Sequence, residues 1–123
     1  QTFSLLVIFL QKNLEWVCLI EQVSDRDTAA LTVSPSGQKS YGLYQIPSKW
    51  CKEGKKGGDC NIACEVTLLD DDIRDDTACA MTIFNREGFK YWSKWTTRCK
   101  KNIDFITKEI YKARVVFLRG NNL

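Results

Sequence analysis

The 123-residue sequence contains no histidine. This absence excludes Ser-His and Cys-His nucleophiles, imidazole metal sites and the commonest general base. Any catalysis would therefore depend on carboxylates, lysine or tyrosine. The chain also lacks internal repeats, linkers and low-complexity segments. Its length fits one globular domain, which we assign to residues 1–123.

The sequence has no strong excess of one charge, since 18 basic and 15 acidic residues leave a formal net charge of +3. This balance suits anionic partners such as bacterial envelopes and gives no indication of a nucleic-acid ligand. Long hydrophobic runs are missing as well, because the apolar stretch from Phe3 to Leu10 is too short to span a membrane. We expect residues 1–12 to form a shortened, buried apolar helix, with a leader remnant as the alternative.

Cysteine, in contrast, is abundant for a chain of this length. Six cysteines suggest three disulfides formed in an oxidising compartment, although many pairings are possible. A zinc site of four thiolates is the alternative, but the irregular gaps between the cysteines are unlike those of zinc sites. The composition therefore predicts a secreted, disulfide-bonded domain. The thiolates available for the alternative zinc site are Cys51, Cys60, Cys64 and Cys79.

The segment after Asn13, its expected N-cap, has the spacing of an amphipathic helix. Glu21 lies two residues from Val23, about 200° around the helix axis, and should therefore be solvated on the opposite face. The apolar stripe of this helix consists of Trp16, Leu19, Ile20 and Val23.

Later segments add one small sheet and more helices. β-Branched and aromatic residues flank the turn Pro35-Ser36-Gly37, as in an antiparallel hairpin. Asp75 or Asp76 should cap a helix that runs to Gly88. An aromatic helix, FKYWSKWTTRC, and a periodic tail, IDFITKEIYKARVVFL, follow. The predicted fold class is α+β, mostly helical with a small antiparallel sheet.

Several motifs resemble those of the C-type lysozyme and α-lactalbumin family, glycoside hydrolase family 22, and in particular its insect members. They are WVCLIE from Trp16, SYGLYQI from Ser40, CNIAC from Cys60, and the aromatic segment that ends at Cys99. The resemblance implies a lysozyme-like fold, with a helical lobe and a β-hairpin lobe, in a secreted monomer. The fourth disulfide usual in the family has no cysteines here. The three disulfides that the resemblance implies are Cys18 with Cys99, Cys51 with Cys64, and Cys60 with Cys79.

An acidic run, LDDDIRDD from Leu69, places five carboxylates within seven residues. It resembles the calcium loop of α-lactalbumin and of calcium-binding lysozymes, and an EF-hand is excluded because the required Gly and Glu are absent. The alternative is an acidic helix start, stabilised only by the helix dipole. The resemblance implies a structural Ca²⁺ held by side chains of Asp70, Asp75 and Asp76 and by backbone carbonyls of Thr67 and Asp72, whereas Asp71 is not a ligand.

The family's two catalytic carboxylates are replaced in this sequence. The family pattern places the general acid five residues after Cys18, where Val23 stands, and the second carboxylate before Tyr41, where Ser40 stands. Neither side chain can perform the chemistry of a carboxylate in glycoside hydrolysis. We therefore expect a non-catalytic protein. The alternative is a weak peptidoglycan β-1,4 hydrolase that uses displaced acids: Glu21, Asp25 or Asp27.

The resemblance also assigns three residues to a substrate cleft: Gln45, Trp50 and Trp92. Aromatic side chains there could stack on sugar rings, although such residues are equally common in a protein core. Pro47 replaces an asparagine and so removes a backbone donor from the cleft. The expected partner is peptidoglycan, a chitooligosaccharide or a protein, and neither a nucleic acid nor a membrane-spanning segment is expected.

Overall fold

The computed structural model describes the backbone of residues 2–121 and the side-chain surroundings of residues 9–113 and 115. Within this part of the chain, no helix is both long and apolar enough to cross a membrane. The helices described are α1 (Thr2–Ser24), α2 (Cys64–Leu68), α3 (Arg74–Glu87), α4 (Ser93–Arg98) and α5 (Lys100–Asn121).

A small antiparallel sheet lies between α1 and α2 in the sequence. It consists of β1 (Leu31–Val33), β2 (Lys39–Tyr41) and β3 (Ile46–Pro47), in that spatial order. β1 and β2 form the predicted hairpin, and β3 adds a third strand that the sequence pattern did not indicate. Ser40 on the central strand pairs with Thr32 on one side and with Pro47 on the other. Thr32, Ser40 and Pro47 are therefore neighbours across the sheet.

The first helix is longer than expected. α1 is continuous through Asn13, so the prediction that Asn13 caps a separate helix is wrong, and its Nδ2 instead donates to the carbonyl of Phe9 (3.1 Å). No glycine or proline interrupts the first 24 residues, which explains the continuity. The expected burial of residues 1–12 is also wrong where side chains are described, since Phe9 is 64% exposed. The side chains of residues 1–8 lie outside the described part.

The core forms where α1, the sheet, α2 and α3 meet. Leu19, Ile46, Leu68 and Ile83 are fully buried in one cluster with much of the aromatic content. The Trp16 ring lies at the centre of the aromatic part, so the helix stripe inferred from the sequence does face the core. Its centroid is 4.7–6.0 Å from the rings of Tyr44, Phe84, Phe89 and Trp92.

All six cysteines form disulfides, and the pairs are those that the resemblance implies. No thiolate remains for the alternative zinc site. The disulfide between Cys18 and Cys99 joins α1 to the junction of α4 and α5, and its two cysteines are 81 residues apart in the sequence. In the chain-entropy model, a disulfide that closes a loop of this size stabilises the fold by about 4 kcal/mol, because it restricts the unfolded chain. The other bridges are Cys51–Cys64 and Cys60–Cys79.

The boundaries of α3 and of the aromatic segment differ in part from the prediction. Ile73 occupies the N-cap of α3, so Asp75 and Asp76 lie in its first turn and do not cap it. Gly88 ends α3 as predicted, with φ of 73° and its N–H donating to the Phe84 carbonyl. The aromatic segment is not one helix, because the extended backbone of Trp92 separates a 3₁₀ turn from α4.

Candidate functional site

A cavity between the sheet, α1 and α4 has a volume of about 430 Å³. We call it the cleft. It is lined by residues of the sheet and of its two connections, by one residue of α1, and by the segment 91–94. The lining residues are Val23, Thr32, Ser34, Ser40, Gln45, Pro47, Tyr91, Trp92, Ser93 and Lys94.

The two positions that hold carboxylates in the family pattern, Val23 and Ser40, both line this cleft. Val23 lies at the end of α1. The next residue, Ser24, holds this end against the segment between β2 and β3, because the Ser24 Oγ donates to the carbonyl of Leu43 (2.7 Å). Ser40 is held in place by its pairing in the central strand. Tertiary structure thus brings the two positions together, although the side chains there are an isopropyl group and a hydroxyl group. None of the lining residues carries a carboxylate.

The alternative acids lie elsewhere. Glu21, Asp25 and Asp27 are all exposed, and none of them lines the cleft. Asp27 is engaged locally, because its Oδ1 accepts a hydrogen bond from the N–H of Ala29 (2.9 Å). Of the residues that the structure describes, therefore, these three acids do not belong to the cleft lining.

Two of the three residues assigned to substrate binding line the cleft, and the third does not. Gln45 and Trp92 are lining residues. The Gln45 Nε2 donates to two backbone carbonyls (both 3.1 Å), and the Trp92 Nε1 donates to the Tyr44 carbonyl (2.8 Å). Trp50 is buried, 2% exposed, and reaches the cleft only through a hydrogen bond from its Nε1 to the hydroxyl of Tyr91 (2.8 Å).

Sequence reasoning did not identify several cleft residues. Thr32 and Ser34 are two positions apart in and just after β1, and that spacing places them on one face of an extended strand. The alternation could have indicated both residues. Tyr91, Ser93 and Lys94 have no such signal, because Tyr91 precedes the extended Trp92 while Ser93 and Lys94 begin α4. Their approach to the sheet is a tertiary contact.

The acidic run divides into exposed and buried carboxylates. Asp70 and Asp75 are exposed, and Asp71 accepts a hydrogen bond from the Thr28 hydroxyl (3.0 Å). Asp72 pairs with Arg74 (2.6 Å), and the hydrogen bonds from this arginine lower the pKa of Asp72 to about 2. In the described residues, no group of three or more carboxylate or cysteine side chains is arranged to hold a metal ion.

Asp76 differs from the rest of the run because its side chain is completely buried. Neither carboxylate oxygen has a hydrogen-bond partner in the described structure. Burial, followed by the negative charges of Asp70, Asp75 and Asp72, raises the pKa of Asp76 to about 7. An isolated buried carboxylate is costly, and such a group needs a proton or a cation as compensation.

Comparison with known proteins places this geometry in a family. The model of the C-type lysozyme/alpha-lactalbumin family matches residues 8–109. The chain belongs to this family. The resemblance inferred from the sequence motifs is therefore confirmed, as is the α+β, lysozyme-like fold with three disulfides.

Members of the C-type lysozyme/alpha-lactalbumin family with similar sequences include insect lysozymes and mammalian alpha-lactalbumins. Lysozyme c-1 of Anopheles gambiae is 43% identical over 86 residues, which cover 69% of this chain and 61% of that protein. Alpha-lactalbumin of Capra hircus is 38% identical over 94 residues, covering 73% of this chain and 65% of that protein. The matched segment thus spans less than two thirds of the length of either relative.

A solved structure of the C-type lysozyme/alpha-lactalbumin family gives the same result for the fold. The crystal structure of lysozyme from Equus asinus superposes with a TM-score of 0.63 at 39% sequence identity. The match covers 71% of this chain and 70% of that one. The family includes both lysozymes and alpha-lactalbumins, so membership alone does not decide between hydrolysis and another role for the cleft.

Proposed function

We propose that this member of the C-type lysozyme/alpha-lactalbumin family is a secreted protein that binds a glycan in the cleft without hydrolysing it. The observation that supports this most directly is the composition of the cleft lining. Val23 and Ser40 occupy the two carboxylate positions of the family pattern, and none of the lining residues is an acid. The glycan classes that fit the family are peptidoglycan and chitooligosaccharides.

The chemistry of glycoside hydrolysis supports the proposed absence of turnover. One carboxyl group must protonate the leaving oxygen, and a second must stabilise or trap the oxocarbenium-like transition state. Val23 has no proton to give. Ser40 is uncharged, and a serine hydroxyl without a neighbouring base is a poor nucleophile. Under this proposal, the protein retains the cleft of a glycosidase but lacks its catalytic groups.

Features other than the missing acids support glycan binding. The cleft volume of about 430 Å³ lies within the usual range for small-ligand sites. Four of its lining residues carry aliphatic hydroxyls, and the half-buried Tyr91 supplies aromatic surface, while Trp92 is only 5% exposed. Hydroxyls and aromatic rings together suit the polar edges and apolar faces of pyranose rings. The hydroxyl-bearing residues are Thr32, Ser34, Ser40 and Ser93.

The test combines a binding assay with a lysis assay on purified, disulfide-intact protein. We expect saturable binding of chitotetraose by calorimetry and no lysis of bacterial cell walls. Thr32→Val removes a cleft hydroxyl with little change in shape and should weaken binding, whereas Thr96→Val, an exposed change on α4 outside the cleft, should not. Lysis by the unmodified protein would support a hydrolase that uses displaced acids. Absence of glycan binding, with capture of a defined protein partner, would support a partner-modulating role.

We propose in addition that Ca²⁺ is a structural ion of this protein. The chemistry of the acidic run fits a hard cation, because the buried carboxylate of Asp76 has no hydrogen-bond donor among the described residues and carboxylate oxygens are the ligands that Ca²⁺ prefers. The exposed carboxylates of Asp70 and Asp75 would have to turn toward Asp76, since the described side chains are not gathered around one point. The groups that would hold the ion are the side chains of Asp70, Asp75 and Asp76 and the carbonyls of Thr67 and Asp72.

A further inference from the structure

We propose that the cleft selects an anionic saccharide, with the Lys94 ammonium group as its counter-ion. This inference rests on the proposed glycan-binding function and names the class of glycan. The ligand would carry a carboxylate or sulfate group on or beside a sugar ring. The observations that lead to it are the charges of the lining residues and the free hydroxyls around them.

Lys94 is the only lining residue that is charged at neutral pH, so the lining carries one positive charge and no negative one. The side chain is exposed and makes no ion pair with any residue that the structure describes. The basic residue next to Ser40 in β2, Lys39, is already paired with Glu53 (3.3 Å). Lys94 therefore remains available to a ligand in the cleft.

The side chains at the two family carboxylate positions determine whether the cleft lining also carries negative charge. An ionised carboxylate in the cleft would repel an anionic ligand at close range, where Coulomb interactions are poorly screened. With Val23 and Ser40 at these positions, that repulsion is absent. The same substitutions that remove the catalytic groups thus make the cleft compatible with a negatively charged sugar.

The hydroxyls of the cleft favour the same class of ligand. A carboxylate or sulfate only accepts hydrogen bonds, and it forms stronger ones than a neutral acceptor does. The hydroxyl of Ser34 is already bonded to that of Ser36 (2.9 Å). Those of Thr32, Ser40 and Ser93 make no hydrogen bond with any described residue. Thr32 and Ser40 are direct partners across β1 and β2, so two free donors lie side by side.

The experiment compares two probes that differ in charge and share the same sugar backbone. One is a tetrasaccharide of alternating glucuronic acid and N-acetylglucosamine, and the other is the methyl ester of the same tetrasaccharide. We expect the charged form to bind up to about fivefold more tightly at low salt, the strength of an exposed ion pair. The preference should shrink as the salt concentration rises.

Two lysine variants of equal net charge provide the matched control. Lys94→Met should abolish the preference for the charged probe. Lys90→Met, an exposed change on the neighbouring 3₁₀ turn outside the cleft lining, should retain it. Ser40→Asp adds a negative charge to the cleft and should reduce the preference.

The possible failures can be told apart. If neither probe nor chitotetraose binds, the proposed glycan binding itself is wrong. If both probes bind equally, or if the ester binds more tightly, the cleft binds glycans without selecting anions, and the inference is overturned. A preference that survives Lys94→Met overturns the role of Lys94, because some other group must then supply the positive potential.

Discussion

A methyl group placed on Gly42 would lie 2.8 Å from Oδ2 of Asp76 and would overlap the backbone carbonyl oxygen of Leu68. Gly42 follows β2, in the sheet that lines the cleft, while Leu68 ends α2 and Asp76 lies in the first turn of α3. Close approach of the Gly42 backbone therefore joins the sheet to the acidic run. The backbone of Gly42 also has a φ of 76°, which favours glycine.

Gly42→Ala should destabilise the fold by about 2 kcal/mol or more, because backbone strain adds to steric overlap with Leu68. Urea denaturation measures this loss. Gly37→Ala is the matched control, since Gly37 has a φ of 86° but no atom within 4 Å of the added carbon. Its loss should be limited to the conformational strain. Equal losses in the two variants would mean that the contact at Gly42 is unimportant for stability.

Glu15→Gln should stabilise the protein at neutral pH. Burial raises the pKa of Glu15, the nearby Asp104 raises it further, and a hydrogen bond with Gln11 opposes the shift. A carboxyl group with a raised pKa in the folded state contributes stability below its unfolded pKa and loses it as pH rises through the folded value. The gain in the variant should therefore be present at pH 7 and vanish in acid.

Urea denaturation of both proteins across this pH range provides the measurement for Glu15. Glu21→Gln removes an exposed carboxylate from the same helix and serves as the control, for which we expect little change. A gain from Glu15→Gln that is as large in acid as at pH 7 would contradict the assignment, because the effect would then not depend on ionisation.

Removal of calcium should lower the melting temperature. Free Ca²⁺ at a hundred times its dissociation constant stabilises a folded protein by about 2.7 kcal/mol if the unfolded chain does not bind it. Calorimetry with calcium or with EDTA measures the difference. Asp75→Asn or Asp76→Asn should remove it, whereas Asp71→Asn should not, because the Asp71 carboxylate already accepts a hydrogen bond from Thr28. Melting that is indifferent to EDTA in the unmodified protein would exclude a structural calcium ion.

Restoring both carboxylates should create turnover. Loss of one electrostatic partner of a transition state commonly costs about 3 kcal/mol, and here the general acid is missing as well. Val23→Glu or Ser40→Asp alone should therefore remain inactive in a cell-wall lysis assay. The paired change should give measurable lysis, since both positions line one cleft. Strong lysis by the unmodified protein that is lost in Glu21→Gln would contradict this account.

The cleft shows which site residues can be predicted from motif spacing and which cannot. Motif spacing assigned Val23 and Ser40 to two catalytic positions, and both line the same cavity. Gln45 and Trp92 also line it, but Trp50 does not. A tryptophan gives the same sequence signal whether its ring faces a cavity or the core, so the difference depends on its neighbours. Here the cations of two residues, Lys49 and Arg86, lie about 5 Å from the centroid of the Trp50 ring.

The sequence by itself determined the family, the α+β class, the hairpin and the absence of carboxylates at the two family positions, because these follow from residue identity and short-range spacing. Tertiary structure decided the rest. It set the exposure of Phe9 on an uninterrupted α1, the complete burial of Asp76 among four exposed aspartates, and the placement of Lys94 in the cleft. These features depend on contacts between segments distant in sequence, and the spacing within one segment carries no information about what packs against it.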